Sequence, residues 1–132
     1  MGLHLIVDDV EVRHTEFSRI LRGHQLDHAY TVNEAIMFMR KRYFGFDRSF
    51  KEDLDRVDNY DVIFLDHDID AGYDRRNVLQ FVKWIADNDS LLELLRKHGT
   101  KFFIHSHNPD GAENMRSILA QLGFEVIVKP FA

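Results

Sequence analysis

The chain has 132 residues, 45% of them hydrophobic, enough for one core and too few for two, so residues 1–132 are expected to form a single domain. With 17 basic and 22 acidic residues the net charge is -5, which argues against bulk nucleic-acid binding but leaves room for a small anion held by local groups. Cysteine is absent, so disulfides, thiolate metal sites and cysteine nucleophiles are excluded; with no long apolar run or basic leader, a cytoplasmic protein without a membrane span is expected.

Leu3 to Val7 is an apolar run halted by Asp8 and Asp9, the pattern of a buried parallel strand meeting a polar site. Val10, Phe17, Ile20 and Leu21 fall at helical spacing over Val10 to Arg22, with Gly23 as a stop. A second strand is predicted at His28 to Val32. Thr31 and Glu34 then have capping-box spacing before a helix carrying Ala35, Ile36, Phe38 and Met39. Tyr43 to Asn59 fits no clean period and reads as a long, partly helical connection.

Tyr60 to Leu65 is the strongest strand signal, and it too ends in polar residues: Asp66, His67 and Asp68. After a polar loop around Gly72, helices are predicted at Val78 to Ala86 and at Ser90 to His98, the latter stopped by Gly99. Lys101 to Ile104 is the fourth strand, followed by His105-Ser106-His107-Asn108-Pro109. Asp110 and Glu113 are expected to cap a helix that ends at Gly123, and Phe124 to Val128 is the fifth strand, closing with Lys129 and Pro130. Strands alternating with helices imply right-handed crossovers and a doubly wound α/β fold with a parallel sheet; the last helix expected on the fifth-strand edge is missing.

In such sheets ligands bind beyond the carboxyl ends of the strands. Asp8, Asp9, Asp66, His67, Asp68, the His105 to Asn108 segment and Lys129 all stand there. Carboxylates gathered in one place repel unless a cation sits among them, and Mg2+ (or Mn2+), which takes oxygen ligands, suits Asp8 or Asp9 with Asp66. Lys129 as a point charge, the Ser106 hydroxyl, and the amides of Gly111 and Ala112 at a helix start would suit phosphate oxygens. His67, His105 and His107 are candidates for proton transfer. By strand alternation His105 and His107 should face one side and Ser106 the other. His4, His24, His28 and His98 read as ordinary strand or helix-end residues.

The acidic pair Asp8-Asp9, with Asp66, Ser106 and Lys129-Pro130, resembles the signature of response-regulator receiver domains, which implies a flavodoxin-like sheet of order 2-1-3-4-5. The segments Asp8 to Phe17, Leu65-Asp66-His67-Asp68, and His105 to Pro109 with Gly111, Asn114 and Met115 resemble more closely the cyclic-phosphate processing receiver-like family of bacteria and phages. That resemblance implies metal-dependent hydrolysis of a cyclic phosphate on a nucleotide or RNA end. Asp8, Asp9 and Asp66 would hold the metal, and His67, His105, Asp68 and His107 would be catalytic. Ser106, Asn108, Lys129, Arg13 and His14 would bind phosphate.

Ordinary receivers lack a histidine beside the phosphoacceptor, and His67 would crowd an aspartyl-phosphate. Two alternatives remain open at this stage: a non-enzymatic receiver phosphorylated on Asp66, and a protein that binds or sequesters a cyclic nucleotide. The open fifth-strand edge also leaves room for a homodimer.

Overall fold

Each strand is a short apolar run that ends where polar residues begin. The computed structural model describes residues 2–44, 59–66 and 77–130. The elements in chain order are β1 (Leu3–Val7), α1 (Glu11–Ile20), β2 (Gln25–Ala29), α2 (Val32–Tyr43), β3 (Val62–Leu65), α3 (Val78–Ala86), α4 (Asp89–His98), β4 (Lys101–Ile104), α5 (Pro109–Gln121) and β5 (Val126–Val128). The strands form one parallel sheet of order β2-β1-β3-β4-β5. The direction of winding reverses at β1, and right-handed crossovers then put α1 on one face and the later helices on the other.

The larger core lies on the second face. Leu5, Val7, Ile63, Leu65, Phe102 and Ile104 point there and pack with residues of α2, α3, α4 and α5. The alternate strand residues face α1, where Ile6 and Phe64 meet Phe17, with Leu21 and Phe103 beside them. Among the described residues α1 is the one helix on that face, which leaves an apolar hollow lined by Phe17, Leu21, Phe64, Phe103 and Lys129. No described helix is long and apolar enough to cross a membrane.

Several boundaries differ from those expected. The second strand is Gln25–Ala29 rather than His28 to Val32, and Asp27 is one of its inward residues, at 8% exposure. A buried aspartate breaks the apolar alternation; it is tolerated because Arg42 clasps both its oxygens at 2.9 and 3.0 Å and the Tyr60 hydroxyl donates to it at 2.5 Å. Tyr60, expected in the third strand, precedes it. Phe124 donates its N–H to Leu119 and still closes α5, so β5 starts later than expected.

The capping box of α2 is present: Thr31 Oγ1 accepts from Glu34 N at 3.0 Å, and Glu34 Oε1 accepts from Tyr30 N at 2.7 Å. For α5 the expected cap is corrected. Asn108 caps it, accepting from Gly111 N at 3.0 Å with Pro109 opening the first turn, while Glu113 pairs instead with Arg116. Proline suits that position because its missing N–H would have no helical partner there. Gly99 (φ 82°) and Gly123 (φ 93°) terminate α4 and α5 in the left-handed region, as their sequence positions suggest. The connection expected at Tyr43 to Asn59 and the loop with Arg75 and Arg76 fall largely or wholly outside the described residues.

Candidate active site at the carboxyl ends of the strands

The ladder itself aligns the site. Asp8 N bonds Ala29 O, Asp66 N bonds Val7 O, His105 N bonds Leu65 O and Lys129 N bonds Ile104 O, so the first residue beyond each of four neighbouring strands is held in one row. Side chains alternate along a strand, and these four follow the positions of Ile6, Phe64, Phe103 and Ile127 by two residues. They share the α1 face. The winding reversal falls between β1 and β3, so Asp8 and Asp66 flank the crevice where open α/β sheets bind ligands.

Asp8, Asp9 and Asp66 each offer a carboxylate oxygen, and these atoms all lie within 4.8 Å of one another. Asp8 is fully buried and Asp66 is 5% exposed. Asp8 Oδ1 accepts from Val10 N at 2.8 Å; Asp8 Oδ2 accepts from His105 Nε2 at 2.9 Å and from Arg13 Nη1 at 3.3 Å. The same Arg13 nitrogen donates to Asp66 Oδ2 at 2.9 Å. Burial pushes the Asp8 carboxyl up, but the His105 and Val10 hydrogen bonds and the His105 and Arg13 charges outweigh it and hold Asp8 below the usual carboxylate range. Arg13, partly desolvated, is nonetheless raised by Asp8 and Asp66. Its guanidinium is a cation standing between two carboxylates.

Next to this cluster lies a hollow of about 340 Å³ lined by Asp9, Val10, Arg13, Asp66, Ser106, His107 and Asn108. Ser106 and His107 therefore both face it, the chain having left the strand at Ile104, and the expected alternation does not extend past His105. His105 is fully buried beneath α1, its ring 5.1 Å from that of Phe17 and its Nε2–H on Asp8. His107 is the exposed one. Ser106 Oγ accepts from Asn108 N at 3.0 Å. The amides of Gly111 and Ala112, expected to be open to an anion, are occupied by the Asn108 side chain and carbonyl.

His14 is brought elsewhere. It is 2% exposed, its ring centroid lies 4.0 Å from that of Tyr30 in a tilted pair, and its Nε2–H donates to the Asp8 carbonyl at 2.7 Å. A carbonyl only accepts, so that nitrogen carries the proton, while His14 Nδ1 lies 2.7 Å from His28 Nδ1. The ring supports the turn that carries Asp8 and does not line the hollow. Nothing in the spacing of residues 14, 28 and 30 announces this contact. Lys129 lies in the same row as the acids but lines the apolar hollow under α1. His67 and Asp68 lie outside the described residues.

The family model of the cyclic-phosphate processing receiver domain matches residues 3–121. The chain belongs to that family. Comparison with curated proteins gave no match. Among solved structures, the family member is similar to a response regulator receiver protein from Pseudomonas putida (TM-score 0.62, 18% identity, covering 99% of this chain and 88% of that one). It is similar also to the response regulator TrrA from Thermotoga maritima in complex with Mg(2+)-BeF (0.56, 22%, 99% and 89%). The Mn(2+)-bound form of response regulator Rcp1 is a third (0.57, 16%, 98% and 81%). These likenesses concern the fold, with its strand order of 2-1-3-4-5.

Proposed function

We propose that this receiver-like protein opens a cyclic phosphodiester of a nucleotide or an RNA end, with Asp8, Asp9 and Asp66 holding Mg2+ or Mn2+ beside the hollow. The observation that carries the reading is an exposed histidine, His107, sharing one hollow with Arg13, Ser106 and a carboxylate cluster. A receiver that only accepts a phosphoryl group has no need of that histidine. The donor set fits the ion, because three carboxylate oxygens converge where a guanidinium charge already sits. When bound, the ion neutralises charge at the phosphoryl group and lowers the pKa of a water.

The chain's own groups do the rest. His105 and the Val10 N–H keep Asp8 ionised. Arg13 turns from the carboxylates to a non-bridging phosphate oxygen, and the Ser106 hydroxyl, the Asn108 amide and Lys129 hold the others. Water adds to phosphorus in line with the leaving ring oxygen. One proton passes from the water to a base and one to the departing ribose oxygen, with His107 serving one of these steps and His67 and Asp68 as candidates for the other.

The test is a screen of 2′,3′-cyclic, 3′,5′-cyclic and ADP-ribose cyclic phosphates with Mg2+ or Mn2+, followed by phosphorus NMR. Ring opening is expected, falling at least about 100-fold in His107→Gln and lost in Asp66→Asn. Absence of turnover on every substrate removes the reading. Unaltered ligand recovered from a tight complex would instead indicate sequestration, and a labile mass increase that disappears in Asp66→Asn would indicate a phosphoacceptor.

A further inference from the structure

At the amino ends of the strands, about 13 Å along β1 from Asp8 at the usual strand rise, three histidines gather that no step at the other edge uses. His4 sits on β1, His24 just before β2, Asp61 just before β3 and His98 at the end of α4. Backbone chemistry fixes the protons of the first two. The Gly2 N–H donates to His24 Nδ1 at 3.0 Å, and a ring nitrogen that accepts carries no proton. His4 Nε2, 3.0 Å from the same Nδ1, is therefore the donor between the two rings. One lone pair on an exposed histidine thus holds both the Gly2 amide and a β1 side chain that is only 5% exposed.

An anionic partner stands beside that lone pair. The place that a Cβ on Gly2 would take lies 3.2 Å from His24 Nδ1 and collides with Asp61 Oδ2, so the ring and the carboxylate flank one point. Asp61 Oδ1 accepts from His98 Nε2 at 2.6 Å, which orients the carboxylate. Two rungs of the sheet start here as well: Gln25 N bonds Gly2 O at 3.0 Å and Asp61 N bonds Leu3 O at 2.8 Å.

We infer that this cluster is an acid-operated latch: at neutral pH His24 Nδ1 holds the Gly2 amide and His4, and on protonation it turns its new N–H to Asp61 and releases both.

A proton on Nδ1 removes the lone pair that the two donors share and leaves the buried Nε2–H of His4 without its acceptor, while the imidazolium gains a charge-assisted bond to the carboxylate. Histidine is the side chain whose charge changes in this range. His4 cannot take the proton in its place. Its Nδ1 is buried and has no hydrogen-bond partner among the described residues, so a second proton on that ring would meet no acceptor. The groups facing it are His24 ahead of β2, Asp61 ahead of β3 with His98 of α4 upon it, and the Phe64 ring of β3, edge-on at 6.0 Å. Burial and then the His24 charge push the His4 ring below its ordinary value of 6.5, against a smaller upward pull from Asp61. A bond made only by the neutral form is complete at high pH and lost as the pH falls, so acid frays the first rungs of β1 with β2 and β3.

The experiment is amide hydrogen exchange by NMR on the full chain at about pH 7.5 and about pH 5.5, expressed as protection factors, with imidazole nitrogen spectra to read the tautomers. At the higher pH, His4 should carry its proton on Nε2 and His24 should carry none on Nδ1. At the lower pH, protection of the Gln25 and Asp61 amides should fall by at least about tenfold more than that of the Asp66 amide at the other end of the sheet. His24→Asn, whose side-chain oxygen still accepts the Gly2 N–H but takes no proton, should keep that protection; the exposure of His24 means the variant should fold, which circular dichroism checks. Protection that is the same at both pH values, a loss that persists in His24→Asn, or a proton on His24 Nδ1 at the higher pH overturns the inference.

Discussion

Arg13 makes two acids 58 positions apart in the chain, Asp8 and Asp66, into neighbours that do not repel, since its Nη1 reaches both. A guanidinium cannot shed its proton in this setting, so any divalent ion must displace it from the carboxylates. Replacing Arg13 by glutamine therefore has opposite effects on the two ligands of the site. Mg2+ binding should tighten by about tenfold, the equivalent of roughly 1.4 kcal/mol of competition removed, while KM for a cyclic phosphate should rise. Isothermal titration against Mg2+ and steady-state kinetics measure the two separately. The acids themselves were legible from their position after apolar runs, but the reach of a helix residue across the crevice was not. Nor was the burial of His105, which looks in sequence like His107 two residues on.

At the scale of the element, local capping chemistry was read correctly once and misplaced once. Thr31 and Glu34 close their box as their spacing suggests, and Thr31→Ala should cost about 1 kcal/mol in urea unfolding without touching activity. In α5, Asp110 and Glu113 also have plausible spacing, but Asn108 precedes a proline that fixes the first turn, and its side chain takes the cap. Asn108→Ala should cost a similar amount in stability and in addition impair turnover, because the same residue lines the hollow. Comparing the two variants separates a loss of helix from a loss of site. The misplaced start of β2 has the same lesson: a strand with a buried acid loses its apolar alternation, and only its partners explain it.

Across the whole molecule, Asp27 ties β2 to Arg42 of α2 and to Tyr60 ahead of β3. Burial pushes its carboxyl up, yet hydrogen bonds from Arg42 and Tyr60 and the Arg42 charge bring it below its ordinary value of 3.8. A depressed folded-state value stabilises the protein fully above pH 3.8 and ceases to do so as the pH falls through that lower value. Asp27→Asn should cost about 3 kcal/mol at neutral pH, since Arg42 loses the carboxylate it clasps. That deficit should shrink in denaturant titrations as the pH falls below 3.8. On the thinner face, Phe17 packs 4.8 Å from Phe64 and 5.1 Å from His105 under the one described helix there. Phe17→Ala should cost about 3–4 kcal/mol, and it should lower Mg2+ affinity as His105 loses the packing that holds it on Asp8.

Sequence alone determined the alternation of strands and helices, the parallel sheet, and the edge at which the acids, Ser106 and Lys129 gather, because burial period and strand-end polarity are local properties of the chain. Tertiary structure decided which of those residues meet. Register and handedness put Asp8, Asp66, His105 and Lys129 in one row on the α1 face, turned Ser106 and His107 toward the hollow, and drew His14 beneath it. The same packing brought His4 and His24, which had read as ordinary, to 3.0 Å of each other at the far edge. Distances between segments follow from the packing of the whole chain, and no window of the sequence contains them.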